Sequence, residues 1–394
     1  MLGSVLLDLA IIAVLVAYLI YGYRTGLIRS LSGVIGVVVG GFVAILLVPL
    51  VSAWVQDSTL RTFATIATVV VVVIGCYYLG AALGNLIQSR MKGRGLRRAD
   101  RGLGAVVTTL IAALVVSTLA TSISALGIPA VSQAIASSSV LRGINDVTPE
   151  PVQAFLAQIR SATVDQSLPR IAQAFGQSGS TSIPNINTNT PALNKAAQSV
   201  VRITGNAYAC GQSQSGTGFV VSHDRIITNA HVVAGVAHPV VDVRNGPALQ
   251  STVVYFDPTG DLAVLAVPDL NLKSLTLGST ASGGTHGVSD GYPFGGPFVS
   301  LPVGIDQVGT INVENIYNSA SNPREIYSLA ANVQEGDSGG PLMTTSGTVI
   351  GVIFAKGATT PNVGYAITMK SVSPVAAKAA SLTASVSDGA CVKG

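Results

Sequence analysis

Charge is scarce in this chain. Of its 394 residues only 10% are Asp, Glu, Lys or Arg while 48% are hydrophobic, which excludes an ordinary soluble enzyme and places part of the chain in lipid. Histidine is scarcer, with four in the whole sequence and none grouped with Cys, Asp or Glu at metal-ligand spacing, so neither a metal nor another cofactor is expected. A basic surface for nucleic acid is also missing. The net charge of +4 belongs to residues 1–127, with nine Lys/Arg against three Asp/Glu, whereas 128–394 hold thirteen against fifteen, and no nucleic-acid partner is expected. Cysteine is limited to three. Cys76, inside VVVIGCYYLG, reads as a small buried hydrophobe. Cys210 and Cys391 fall near the two ends of the last domain and read as a disulfide if that domain is exported, or as two thiols if it is cytosolic. As a bridge closing so long a loop, they would contribute about 5 kcal/mol in the chain-entropy model.

What is present in quantity is long apolar runs. Four of them, at about 4–22, 31–51, 63–87 and 103–127, reach the roughly 20 residues that a helix needs to cross a bilayer. The first lacks the basic flank and small-residue cleavage site of a removable signal peptide and reads as an anchor. Arg24 and Arg29 lie between runs one and two, and Arg90, Lys92, Arg94, Arg97, Arg98 and Arg101 between three and four; the second connection carries only Arg61, beside Asp57. Basic connections stay cytoplasmic, so both ends of the protein, and everything past residue 127, are expected outside. Gly36-x-x-x-Gly40 and Gly80-x-x-x-Gly84 predict close helix approach, within one molecule or through self-association. This four-span pattern with its basic third connection resembles the colicin V production protein family.

Residues 128–198 change character. VSQAIASSSVLRGI and EPVQAFLAQIRSA carry helical spacing, and SGSTSIPNINTNTP (178–191) reads as a polar, protease-accessible tether. From about 199 to 394, short β-rich runs alternate with turn signals, the pattern of a sandwich or barrel, before a short helix in VSPVAAKAASLTA.

Three stretches of this last domain carry chemistry: TNAHVV with His231, GDLAVL with Asp261, and EGDSGGPL with Ser338. A hydroxyl attacking a carbonyl needs an imidazole to take its proton, and the imidazole needs a carboxylate to fix its tautomer. Gly336 lets the backbone turn so that the amides of Gly336 and Ser338 face a developing oxyanion, worth about 3 to 4 kcal/mol per donor. Asp242 and Asp257 are nearby rivals to Asp261, and His223, His238 and His286 lack comparable context.

In the order His, Asp, Ser, these stretches resemble the trypsin/chymotrypsin superfamily, in its bacterial HtrA-type branch, over about residues 199–380. The resemblance implies two perpendicular six-stranded β-barrels with the site between them, His231 as base and acid, Asp261 as its orienter and Ser338 as nucleophile. With the four spans, the whole sequence resembles the membrane-anchored acid-resistance serine proteases of actinobacteria, the MarP family. That implies an endopeptidase in the plasma membrane, with its protease domain on the periplasmic side. It would cut cell-envelope proteins such as peptidoglycan hydrolases, and its own linker. A transport or stress-sensing membrane protein with an idle β-barrel binding module is the competing expectation.

Two departures from the superfamily stand out. The domain entry AAQSVVRITG lacks the Ile-Val-Gly-Gly start whose freed amine would pair with Asp337, so the partner of that aspartate is open. Asn332 stands where a basic specificity would call for an acid, and Phe354, Ala355 and Lys356 align with the strand that holds substrate by β-addition, which together predict an uncharged residue before the cut. Acid poses its own difficulty: an ordinary imidazole titrates near 6.5 and is lost as a base below that. An acid-stress role is therefore expected to work through substrate exposure, through self-cleavage or through a depressed His231 pKa.

Overall fold

The computed structural model describes residues 2–54, 58–91, 93–124, 131, 134–135, 138–161, 168–171, 182–207, 212–358 and 360–392. It divides into two compact units, residues 8–117 and residues 1–7 with 118–394.

Four long helices supply the first unit, α1 (Leu2–Thr25) from Asp8 onward, α2 (Leu27–Trp54), α3 (Ser58–Ser89) and α4 (Arg94–Ser124) as far as Ser117. Each contains an apolar stretch of 22 to 27 residues, long enough to cross a bilayer. Their outward faces are apolar, with Leu6, Ile20, Phe42, Leu46, Val71 and Leu79 exposed, as a lipid environment requires. The two glycine motifs form the seam between α2 and α3. A Cβ on Gly36 would stand 2.2 Å from the Cys76 carbonyl oxygen and one on Gly80 2.3 Å from that of Ser32, so any larger side chain would separate the helices. Between α1 and α2 the backbone breaks at Gly26, where φ is +82°. Asp100 of α4 caps the restart, with Oδ1 accepting from Ile28 N at 3.0 Å and Oδ2 from Gln88 Nε2 at 2.6 Å.

The basic stretch before the fourth span, expected as a connection, is instead helical from Arg94, and Arg94, Arg97, Arg98 and Arg101 lie along one exposed face of α4. Hydropathy marks where a helix is apolar, not where it begins.

The second unit opens with α5 (Ser139–Val147), capped by Ser138 Oγ on Leu141 N at 3.1 Å, and α6 (Glu150–Ser161). Ala157 of α6 packs against Gly296 of the β domain. The two-residue strand β1 (Arg170–Ile171) follows. Residues 182–190, whose composition suggests a tether, lie against the domain at Pro184, which touches Gly304. They lead into α7 (Pro191–Ala197), capped by Thr190 and anchored by the buried Leu193.

The β domain contains two sheets. The first holds β2 (Val200–Ala207), β3 (Gln212–Ser222), β4 (Arg225–Thr228), β5 (Val240–Asp242), β6 (Ala248–Gln250), β7 (Thr252–Asp257) and β8 (Leu262–Ala266), in the order β6-β5-β2-β3-β4-β8-β7. The second holds β9 (His286–Gly291), β10 (Val299–Glu314), β11 (Ser321–Ala330), β12 (Pro341–Thr344), β13 (Val349–Gly357) and β14 (Val363–Thr368). β1 adds to its edge, and a β13–β14 pairing curls it. The second sheet has the six domain strands expected of a barrel, and the first has seven. The extra strand is β6, turned back on β5 through Asn245, whose φ of 56° suits Asn, and Gly246. The last helix, α9 (Met369–Ala379), closes the core with Met369, Val372 and Ala379 around Phe219, Val352 and Phe354.

Candidate active site

The site is assembled from the ends of strands. After β4, Asn229 leads into a single helical turn, α8 (Ala230–Val233), which carries His231 in its first turn. Just before β8 stands Asp261, with φ at +54°, an expensive conformation for a non-glycine residue that is sustained by dense bonding. Asn229 Nδ2 donates to Asp261 O at 2.8 Å. The Asp261 carboxylate accepts from the His231 backbone N–H at 3.0 Å and meets His231 Nδ1 at 2.8 Å through Oδ2. This arrangement fixes the ring: Nδ1 is spent on the carboxylate, and Nε2 is left for other use.

The rivals to Asp261 have other work. Asp242 pairs with Arg202 at 3.0 Å, and Asp257 Oδ1 accepts from the amides of Thr259 and Gly260. His223, His238 and His286 are exposed.

Ser338 lies in the turn before β12, and its loop is locked from below by Thr217. The Thr217 hydroxyl donates to Gly336 O at 2.7 Å and its N–H to Ser338 O at 2.8 Å. Gly336 has φ +95°, and a Cβ there would fall 2.3 Å from Tyr292 O. Only glycine fits this position. Among the described residues neither the Gly336 nor the Ser338 N–H is spent on another hydrogen bond. Ser338 Oγ and His231 Nε2 are both buried in one small pocket with Leu168, Gln214, Ser215 and Glu335. Each lacks a hydrogen-bond partner, so the bond that would couple them is not made in this structure.

Two buried acids lie under the serine loop. Asp337 Oδ2 accepts from Gln334 N at 2.8 Å while Oδ1 has no partner, and burial pushes the carboxyl up to about 7. Asp290 accepts from Ser300 Oγ at 2.5 Å, and burial raises it to about 6. The open question of an amine for Asp337 is answered by a backbone N–H alone among the described residues.

The remaining sequence-named positions distribute unevenly. Asn332 is exposed, with Ala331 and Val333 buried on either side of it. Phe354 fills the core under the Arg324 guanidinium, 5.6 Å from its ring centre, and does not narrow the cleft. Ala355 is buried, and Lys356 pairs with Glu335 at 3.7 Å. Cys210 lies outside the described residues; Cys391 packs against Gly235, just past α8.

Sequence reasoning missed Thr217 and Arg324. The latter is buried and donates to Thr259 O, within the loop that leads to Asp261. Its burial lowers the guanidinium pKa, and the charges of Asp261 and Asp257 pull it back up. Thr217 stands in GTGFVV, upstream of TNAHVV, but no local signal distinguishes either residue from an ordinary strand position.

Comparison with known proteins agrees with this architecture. Residues 7–149 match the family model of the colicin V production protein, and residues 216–352 that of the trypsin-like peptidase domain. The serine protease Rv3671c of Mycobacterium tuberculosis is 30% identical over 392 residues, 98% of each protein. The crystal structure of the Rv3671c protease in its active form matches with a TM-score of 0.52 at 36% identity, covering 57% of this protein and 100% of that one. A probable periplasmic serine endoprotease, DegP-like, from Halomonas elongata is 35% identical over 144 residues, 35% of this protein and 28% of its own length. These relationships set aside the idle binding module: the chain belongs to the Rv3671c, or MarP, family of serine proteases.

Proposed function

We propose that His231, Asp261 and Ser338 form the catalytic triad of a membrane-anchored endopeptidase, with the amides of Gly336 and Ser338 as its oxyanion hole. The observation that carries the reading is His231, held at Nδ1 by Asp261 and presenting a free Nε2 to the pocket that contains Ser338 Oγ. Attack would join Ser338 Oγ to the substrate carbonyl carbon as its proton passes to His231 Nε2, which then delivers it to the leaving amine. Asp261, bonded to Nδ1, steadies the imidazolium. The oxygen that becomes negative would be met by the Gly336 and Ser338 N–H groups, which make no other hydrogen bond among the described residues.

The basic face of α4 and the connection after α1 support a cytoplasmic side for these segments and thus an exoplasmic protease domain. There the available substrates are envelope proteins and the protein's own linker, and the acid-stress role implied by the family resemblance would be exercised on them. An exported domain also suits a Cys210–Cys391 disulfide. Cys76 is the one cysteine found free among the described residues, and Cys391 is drawn back beside the turn that follows His231.

The test is fluorophosphonate labelling of the full-length protein in membranes. Wild type is expected to label and to cut a casein substrate; Ser338→Ala is expected to do neither. Labelling that persists in Ser338→Ala refutes the assignment.

A further inference from the structure

We propose that Leu168–Ile171 occupy the substrate groove of the same molecule in the direction opposite to a substrate. The pocket filled by Leu168 then selects a medium-sized aliphatic residue before the scissile bond. The inference rests on Ser338 being the nucleophile, and its test separates the two.

β1 pairs in parallel with β13, Arg170 opposite Lys356. Lys356 N donates to Pro169 O at 3.1 Å and Ala358 N to Ile171 O at 3.0 Å. This is the strand expected to take a substrate backbone, so its hydrogen-bonding edge is already in use over these residues. The Ser338 end of β13 is marked by Gly339, whose N–H donates to Ile353 O at 2.8 Å. Leu168 therefore lies nearest the serine, and the backbone leaves it in the N-to-C direction as it passes Lys356 and Ala358.

A substrate must run the other way. The bond attacked follows the residue in the pocket, so the part of a substrate lying along β13 is the part N-terminal to that residue. It pairs antiparallel with β13. In the observed register the residues that follow Leu168 lie there, and no acyl-enzyme forms at Leu168. The segment occupies the groove without being consumed.

Leu168 itself is only 8% exposed. It lines the pocket with His231 and Ser338, and it belongs to the apolar cluster that includes Ala331, Val333 and Ile353. Beside it, Glu335 of the serine loop pairs with Lys356 of β13 at 3.7 Å, joining the two rims of the groove. An acidic side chain in this cluster would lose its hydration next to Glu335, and a basic one would have to displace Lys356 from that carboxylate, whereas leucine or methionine gains contact. Because the occupant is covalently attached, a peptide in trans competes with a high effective concentration, and its apparent affinity is reduced by the fraction of molecules that are open.

The experiment uses full-length protein in detergent: wild type, Leu168→Asp and the conservative Leu168→Met. Two quantities are measured, the rate of fluorophosphonate labelling and kcat/KM for tetrapeptide anilides ending in Leu, Met, Arg or Asp. Leu168→Asp is expected to label on the order of tenfold faster than wild type, and Leu168→Met within about twofold of it. Leu and Met anilides are expected to be cut at least about a hundredfold better than Arg or Asp anilides. A Leu168→Asp variant that keeps its melting transition yet labels at the wild-type rate overturns the occupancy, and a preference for Arg or Asp overturns the pocket. If Leu168→Asp does not fold, hydrogen exchange of wild type with a leucine-ended peptide aldehyde decides the matter. The Ala358 amide should lose protection as Ile171 is displaced, while Lys356 stays protected by the ligand; unchanged exchange at Ala358 with the aldehyde bound contradicts the proposal. Failure of every variant and of wild type to label overturns the role of Ser338 itself.

Discussion

Asp261 and Asp337 are equally buried, each 2% exposed, and are served very differently. Asp261 accepts a backbone N–H and an imidazole N–H, and the buried Arg324 charge acts on it. Asp337 receives one backbone N–H, leaves one oxygen bare, and is pushed up to about 7. The half of the site contributed by the first sheet is thus built complete, and the half contributed by the second depends on pH. A buried carboxylate that is fully bonded can stay charged; one that is not holds its proton until the solution is nearly neutral.

The largest effects are expected at the complete half. Asp261→Asn leaves the loop in place but allows the wrong imidazole tautomer, and should lower kcat by about four orders of magnitude, read with a peptide anilide. Gly336→Ala comes next. With φ at +95° and Tyr292 O in the way, the added methyl must displace the loop and its donors, costing at least about a hundredfold in kcat/KM. Arg324→Met removes the bond to Thr259 O that steadies the approach to Asp261, and should cost roughly tenfold in kcat with little change in KM.

The pH-dependent half is sharpened by Asp337→Asn. Because the folded carboxyls of Asp337 and Asp290 sit at about 7 and about 6, above the ordinary 3.8, the folded protein binds more protons than the unfolded one across that interval. Their contribution to stability is therefore fully present below about pH 4 and is lost as pH rises through about 6 to 7. Asp337→Asn should raise the melting temperature at pH 8 by roughly 5 °C, change it little at pH 4, and flatten the profile between. Equal effects at both pH values would show that Asp337 keeps its charge through another partner.

Much of this was legible in the sequence where the signal is local. The four spans appear as unbroken apolar length, and the α2–α3 seam as two glycine pairs, because helix packing in lipid is written in small residues at fixed spacing. His231, Asp261 and Ser338 stand in short motifs whose neighbours serve the turn geometry. The unread parts are long-range. Asp100 looks like one more loop charge until it is seen capping α2, Arg324 like a strand residue until it reaches Thr259, and Leu168 like linker until it leads into the strand paired with β13. The helical start at Arg94 was hidden because polar residues continue a helix that hydropathy alone truncates.

The most direct test of the account is where a fluorophosphonate attaches on the full-length protein in membranes, located by mass spectrometry. The account predicts a single adduct on Ser338, absent in Ser338→Ala and formed at least about a thousandfold more slowly in His231→Ala. An adduct on another residue, or labelling of Ser338 that does not depend on His231, would contradict it.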